Sequence, residues 1–304
     1  YNNTNGVFAS SIPNPDIRWE STYQLDIAVD FAFFKNKLRG TIGYYDKTTR
    51  DQILNRQIIF ETGGRTQNYN VGDFSNKGWE LQIGSDVITG RQVSWLTDLN
   101  ITKYKSKVLK LHDGQYLNLR EGQPIGYFEG YKTAGIFKDQ KEIDDLNAKS
   151  PNGFYQSKDT RPGDFKFVDV NGDGFIGDDD YIVLGKAEPD FFGGWNNIIR
   201  YKNLELTAFF NFSVGNYLYN SGRKDLLFYN GDNNNYATDI LNAWTPENSN
   251  ATLPRIVKGD PNRNSRESDF FIEDASFFRL KNIQVSYVFK HSLLNKVFIN
   301  SLRA

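Results

Sequence analysis

Twelve residues, Asp169-Val-Asn-Gly-Asp-Gly-Phe-Ile-Gly-Asp-Asp-Asp180, place oxygen donors at the spacing of a calcium loop. Asp169, Asn171 and Asp173 fall at ligand positions one, three and five, Gly174 takes the sharp turn at six, and Phe175 offers its main-chain carbonyl at seven. Position nine is Gly177, so water has to serve there. Position twelve is Asp180 in place of the usual glutamate, and this shorter carboxylate reaches an ion less readily with both oxygens, which predicts modest affinity. With oxygen donors alone and no thiol or imidazole nearby, the set suits a hard cation, Ca2+ before Mg2+. The flanks Phe165-Lys-Phe-Val168 and Tyr181-Ile-Val-Leu184 read as strands rather than EF-hand helices. The expectation is a structural calcium loop in a β context; the metal-free alternative is an Asx-rich turn held by side-chain to backbone bonds.

Other chemistry is sparse. The two histidines, His112 and His291, stand far apart with no serine motif beside them, which disfavours a His-based triad or a zinc hydrolase. Gly63-Gly64 and Gly193-Gly194 precede no helical pattern with a Lys-Ser/Thr ending, so neither is a phosphate loop. Glu80, Asp86 and Asp26 have the carboxylates of a glycosidase pair, but each sits on the polar side of an alternating segment, where solvated carboxylates are ordinary. The sequence offers no convergent acid, base and nucleophile, and the expectation is a protein that is not an enzyme.

The elements that would position the loop are strands. From Trp19 to Phe33 the odd positions carry Trp, Ser, Tyr, Leu, Ile, Val, Phe and Phe, and the even positions carry Glu, Thr, Gln, Asp, Ala, Asp and Ala. A period of two marks an extended strand between different environments, and its length suits a tilted bilayer crossing, which takes about 9–11 residues. Leu25, Ile27, Val29, Phe31 and Phe33 are expected to face lipid, with Gln24, Asp26 and Asp30 facing a lumen. The habit recurs after the turn at 34–37, in the pair 79–87 and 93–101, in the pair broken at Arg200-Tyr-Lys-Asn203, and in Ile283–Phe289. Connections at the opposite ends are long, covering roughly 47–70, 105–190 and 215–270. Short turns on one side and long loops on the other are the polarity of an outer-membrane barrel, and the calcium-type loop at 169–180 falls within the 105–190 region, expected to be extracellular. A soluble β-sandwich reads alike from periodicity alone; strand length favours the barrel. Trp19, Tyr44, Trp79 and Trp195 lie near strand ends, as interfacial aromatics do.

Composition agrees. Aromatics make up 15% of 304 residues, with 24 Phe and 17 Tyr, and the net charge of −1 leaves no basic stripe for nucleic acid. No run of about 18 apolar residues occurs, so no transmembrane helix is expected, while barrel strands escape that criterion. The chain has no cysteine, which excludes disulfides and thiolate sites. It also has no methionine, even at position 1, and is expected to be a fragment, a processed product or an incomplete record.

Six segments, in order along nearly the whole chain, resemble the C-terminal barrel of the SusC/RagA family of TonB-dependent outer-membrane transporters of Bacteroidetes. They are Asn14-Pro-Asp-Ile-Arg-Trp-Glu20, Asn76-Lys-Gly-Trp-Glu80, Gly122-Gln-Pro-Ile-Gly126, Gly163-Asp-Phe-Lys-Phe-Val-Asp-Val-Asn-Gly-Asp-Gly174, Trp244-Thr-Pro-Glu-Asn248 and Ala275-Ser-Phe-Phe-Arg-Leu-Lys-Asn-Ile-Gln284. The resemblance implies an all-β, antiparallel transmembrane barrel of 22 strands, of which residues 1–304 supply eight or nine with long extracellular loops. It implies a SusD-like surface lipoprotein as lid, an oligosaccharide or peptide as cargo, and energy from the TonB complex. The signal sequence, accessory domain, TonB box, plug and earlier strands would then lie outside this chain. Competing readings are a secreted, calcium-bound β-sandwich that binds glycans, and a passive porin.

Overall fold

The computed structural model describes residues 11–58, 66–112, 119–228, 235–289 and 302–304. In chain order its strands are β1 (Ser21–Phe33), β2 (Leu38–Gln57), β3 (Thr66–Thr89), β4 (Val93–Leu111), β5 (Tyr127–Gly130), β6 (Thr133–Ile136), β7 (Phe165–Phe167), β8 (Ile182–Lys186), β9 (Phe191–Tyr201), β10 (Leu204–Val214), β11 (Tyr217–Tyr219), β12 (Ile272–Asp274) and β13 (Phe277–Tyr287). Two short helices, α1 (Gln140–Asn147) and α2 (Ser221–Leu227), complete the regular structure together with several single 3-10 turns. The chain divides into two compact units, one comprising 1–126, 188–215 and 276–304, the other 127–187 and 216–275.

The first unit is a seven-stranded antiparallel sheet in the order β1-β2-β3-β4-β9-β10-β13. These are the strands that alternation predicts. The segments around 165–168 and 181–184, also strand-like in sequence, belong to the second unit, so the sheet holds seven strands among the described residues against an expected eight or nine. Register explains the alternation directly, because paired residues share a face. One row across all seven strands runs Val29, Ile42, Leu81, Ile101, Gly193, Phe212 and Phe278. The adjacent row runs Asp30, Thr41, Gln82, Asn100, Gly194, Asn211 and Arg279. Along these two rows, one face is therefore apolar and the other polar across all seven strands.

The apolar face is bare. Leu25 and Ile27 are each 56% exposed and Val29 57%, whereas a sandwich would bury them under a second sheet. Polar groups on this face satisfy one another: Trp195 Nε1 donates to Thr97 Oγ1 at 2.7 Å, and Asn197 Oδ1 accepts from Trp95 Nε1 at 3.1 Å and from Thr97 Oγ1 at 3.0 Å. Such local pairing is what hydrocarbon demands of side-chain donors. Two glycines admit cross-strand aromatics: a Cβ at Gly40 would meet the Phe31 ring at 2.6 Å, and one at Gly193 the Phe212 ring at 2.7 Å.

Hairpins close one end of the sheet tightly. Phe34, Lys35 and Asn36 all take positive φ, of 53°, 58° and 66°, and Lys202 does so at the β9–β10 turn with 54°, a conformation that matches the right-handed twist of the flanking strands at some cost for residues other than Gly or Asn. At the opposite end β2 and β3 remain paired through Gln57 and Thr66, so most of the region 47–70 is strand rather than loop. Alternation fails there because register shifts lie between Thr49 and Ile53, with Asp51 at a positive φ of 53°; a bulge reverses the faces and breaks the period. A small core of Val71, Phe74, Val108 and Leu111 fills this extension.

The second unit has its own core, in which Phe165, Phe167, Leu227, Phe228 and Phe271 are buried, with ring contacts such as Phe165–Phe270 at 4.9 Å and Phe228–Phe271 at 5.4 Å. Three two-stranded ladders, β5–β8, β6–β7 and β11–β12, frame it. Helix α1 starts where Asp139 accepts the Glu142 N–H at 2.9 Å and buries Ile143.

Candidate functional site

In the loop 169–180, Asp169 accepts the Gly172 N–H on Oδ1 at 2.7 Å and the Gly174 N–H on Oδ2 at 2.8 Å. Gly172 and Gly174 take φ of 77° and 90°, which a side chain would strain. Asp173 accepts the Phe175 N–H at 3.1 Å and an Asn171 Nδ2 hydrogen at 2.9 Å, and Asn171 Oδ1 accepts the Asp173 N–H at 3.0 Å. Asp180 sits in a 3-10 turn, Asp178–Asp180, and is fully buried. Its carboxylate accepts the Val170 N–H at 2.6 Å and the Gly177 N–H at 2.8 Å.

These bonds bear on the metal question in two ways. They realise the Asx-rich turn, and they leave further lone pairs on both oxygens of Asp169 and Asp173 and on Asp180 Oδ2, while Asp180 Oδ1 also accepts the Asn171 N–H at 3.5 Å. No basic side chain pairs with Asp169, Asp173 or Asp180 among the described residues, so the buried Asp180 charge has backbone donors but no counter-charge, an arrangement that a divalent cation would complete. The neighbouring Tyr155 fixes the loop entrance, donating to the Phe167 carbonyl at 2.9 Å and accepting the Asp169 N–H at 3.1 Å. Burial raises its phenol above the usual tyrosine range, so it stays a donor.

A second cluster of possible ligands brings Asp51, Asp73 and His112 within 4.8 Å of one another. In the sequence His112 stands as an isolated histidine; the carboxylates come from β2 and β3, 61 and 39 positions earlier in the chain. Here too hydrogen bonds are internal: His112 Nε2 and Arg18 Nη2 each lie 3.0 Å from Asp51 Oδ1, and Asp73 Oδ1 accepts the Asp51 N–H at 3.0 Å. The Arg18 guanidinium already supplies positive charge, so this is a strut holding the segment before β1 against the strand extension. His291 lies outside the described residues.

The polar face of the sheet carries the remaining chemistry. Arg39 bridges Asp86 at 3.1 Å and Asp98 at 3.7 Å, Thr41 donates to Asp30 at 2.6 Å, and Gln24 donates to Asp26. A cleft of about 320 Å3 opens between Asp30, Arg39, Gln82 and Asp98. Asp86 is thus an ion-pair partner and Asp26 a hydrogen-bonded wall residue, while Glu80 lies across from Gly43 and Thr102, an arrangement suited to lining a water-filled passage.

The motif residues gather for structural reasons that spacing did not reveal. Asn14 donates to the Asn68 carbonyl at 3.1 Å and Asn70 holds Arg18 by two bonds of 2.8 and 2.9 Å. Gly122 and Gln123 bond both main-chain groups of Val108. Gly163, with φ of 92°, lies under Trp244 so closely that a Cβ would be 2.3 Å from the indole. Beside it, Asp164 accepts Arg255 Nε at 2.7 Å and Nη2 at 3.0 Å, Asn264 Nδ2 at 2.9 Å and the Arg161 N–H at 2.8 Å.

Residues 1–135 match the family described as TonB dependent receptor-like, beta-barrel. TonB-dependent receptor P3 of Formosa agariphila is 33% identical over 98% of this chain and 30% of its own length, and TonB-dependent receptor SusC of Bacteroides thetaiotaomicron is 26% identical over 91% of this chain and 27% of its own. The chain thus spans less than a third of these relatives. Among solved structures, the RagAB peptide transporter superposes with a TM-score of 0.75 at 24% identity, over 95% of this chain and 31% of that one. The bare apolar face, the opposed polar face and these likenesses agree: the chain belongs to the TonB-dependent receptor family, as part of its outer-membrane β-barrel.

Proposed function

We propose that the intact protein containing this chain imports an oligosaccharide or peptide across the outer membrane, energised by the TonB complex and working with a SusD-like surface lipoprotein. The observation that supports this reading most is the polar wall of Asp30, Arg39, Thr41, Gln82 and Asp98 on the back of a membrane-facing sheet, in a chain related to SusC and to other TonB-dependent receptors. The relatives are named as receptors and transporters, and the same chemistry serves here: polar side chains line a passage and no reaction is needed. Purification of the intact protein from outer membranes is expected to bring a lipoprotein with it, and uptake of labelled oligosaccharide or peptide by cells is expected to stop when the proton gradient is dissipated. Uptake that persists without the gradient would point to a passive pore instead.

Calcium has a place in the same account, as a brace for the loop 169–180. The intact protein titrated with Ca2+ in a calorimeter is expected to show a site of modest affinity, weakened about tenfold or more by either Asp169→Ala or Asp173→Ala. Absence of heat, or heat unchanged in both variants, would leave the loop as a metal-free turn.

A further inference from the structure

On the apolar face, the character of β4 changes abruptly. Its face residues run Leu99, Ile101, Lys103, Lys105 and Lys107, opposite Ile83, Leu81, Trp79, Lys77 and Ser75 of β3. From Val93 at the turn to Lys103 is about ten residues, roughly 33 Å of strand, or about 25 Å of depth at a tilt near 40°, the height of a barrel's apolar band. Lys103 therefore stands at the band's upper edge, on the side of the long connections, which in such barrels is the outer leaflet.

Three observations set these lysines apart from solvated surface charge. Lys103, Lys105 and Lys107 are exposed, and their ammonium groups make no ion pair or hydrogen bond among the described residues. Two acids that touch their strand neighbours are engaged there: Asp46 is bonded to Lys77 at 2.7 Å, and Glu188 accepts the Ser106 N–H at 3.3 Å. Like charges at successive same-face positions repel, and the repulsion grows beside apolar surface unless an anion lies between them. Next to them, a cleft of about 520 Å3 is lined by Tyr44, Trp79 and Leu109 with the lysine stems, and the Tyr44 and Trp79 rings pack 4.9 Å apart.

We propose that this patch binds a phosphorylated lipid of the outer leaflet, its phosphate held by the ammonium groups of Lys103, Lys105 and Lys107 and an acyl chain lying in the cleft over Trp79 and Tyr44. The reading rests on the barrel assignment and is independent of what the protein transports. Charge complementarity selects the head group, and continuity of the cleft with the row Ile42, Leu81 and Ile101 selects a lipid over a soluble anion.

The test uses the intact protein, stripped of lipid in detergent and placed in phosphatidylcholine nanodiscs doped with lipid A carrying its phosphates or with the dephosphorylated form, with bound lipid counted by native mass spectrometry. The wild type is expected to enrich the phosphorylated form only. Replacing all three lysines by glutamine is expected to weaken binding about a hundredfold, at about fivefold for each charge near a membrane surface, whereas replacing all three by arginine keeps it within a few fold. Should the triple glutamine variant fail to show heat-modifiable migration, Lys105→Gln alone is scored against the fivefold expectation. Equal enrichment of both lipids, glutamine variants that bind like wild type, or full displacement by millimolar inorganic phosphate would overturn the proposal. Protection of the lysines by a second copy or by the lipoprotein, without dependence on lipid phosphate, would overturn it as well.

Discussion

Asp164→Ala is expected to destabilise the unit formed by 127–187 and 216–275 by about 3–5 kcal/mol, the cost of leaving one partner of a buried ion pair behind. Asp164 has no exposed surface, and its two oxygens hold the forked Arg255 guanidinium, the Asn264 amide and the Arg161 N–H. Removal strands all of these at once. Arg255 also donates its N–H to the Gly163 carbonyl at 2.8 Å, so loosening it disturbs the residue over which Trp244 packs. Asn264 connects onward to Asn262, which accepts from Thr160 Oγ1 at 2.7 Å and Gln156 Nε2 at 3.0 Å. A half-satisfied polar network is worse than an apolar one. Limited proteolysis of the intact protein is expected to cut this unit of the variant at a temperature where the wild type resists, while the sheet stays intact; equal resistance would contradict the assignment.

Ile27→Arg is expected to cost about 2–4 kcal/mol, the penalty for a charge near the bilayer midplane, and to deplete assembled protein in the outer membrane. Position 28 is the control, since Ala28→Arg points to the polar face beside Asp26 and Asp30. Ile27 pairs with Tyr44, which pairs with Trp79, so the new guanidinium would lie among rings and lipid, whereas Ala28 pairs with Gly43 and then Glu80, where a cation gains a partner. Heat-modifiable gel migration of membrane fractions reads the difference. Depletion by Ala28→Arg alone would mean that the faces are reversed, and equal depletion in both variants would contradict a lipid face opposed to a water face.

How much of this was legible in the sequence follows from the range of the interactions. The sheet was legible because alternation is local: Leu25, Ile27 and Val29 declare their face without knowledge of any partner, and the turn at 34–37 fixes which strand comes next. The extension of β2 and β3 was not, because the bulge at Asp51 breaks the period while pairing continues. The Asx-rich turn at 169–180 was legible for the same local reason, because its bonds link residues at most ten positions apart. The buried network was invisible, since Asp164 and Arg255 stand 91 residues apart and Thr160 and Asn262 stand 102 apart; nothing near either partner announces the other. The lysine comb was hidden differently. Lys103, Lys105 and Lys107 look like an ordinary polar strand end until pairing sets them opposite Trp79, Lys77 and Ser75 on the lipid-facing side.

The central claim, that this sheet is a membrane wall with lipid on one side and water on the other, is tested most directly by an accessibility scan of β1. Single cysteines placed at each position from Ser21 to Phe33 of the intact protein, whose segment here has no native cysteine, are spin-labelled in membranes, and collision with oxygen is compared with collision with a water-soluble nickel chelate. A period of two is expected, with oxygen favoured at 25, 27, 29, 31 and 33 and nickel favoured at 24, 26, 28 and 30. Nickel access at both sets, or a flat profile along the strand, would contradict the account.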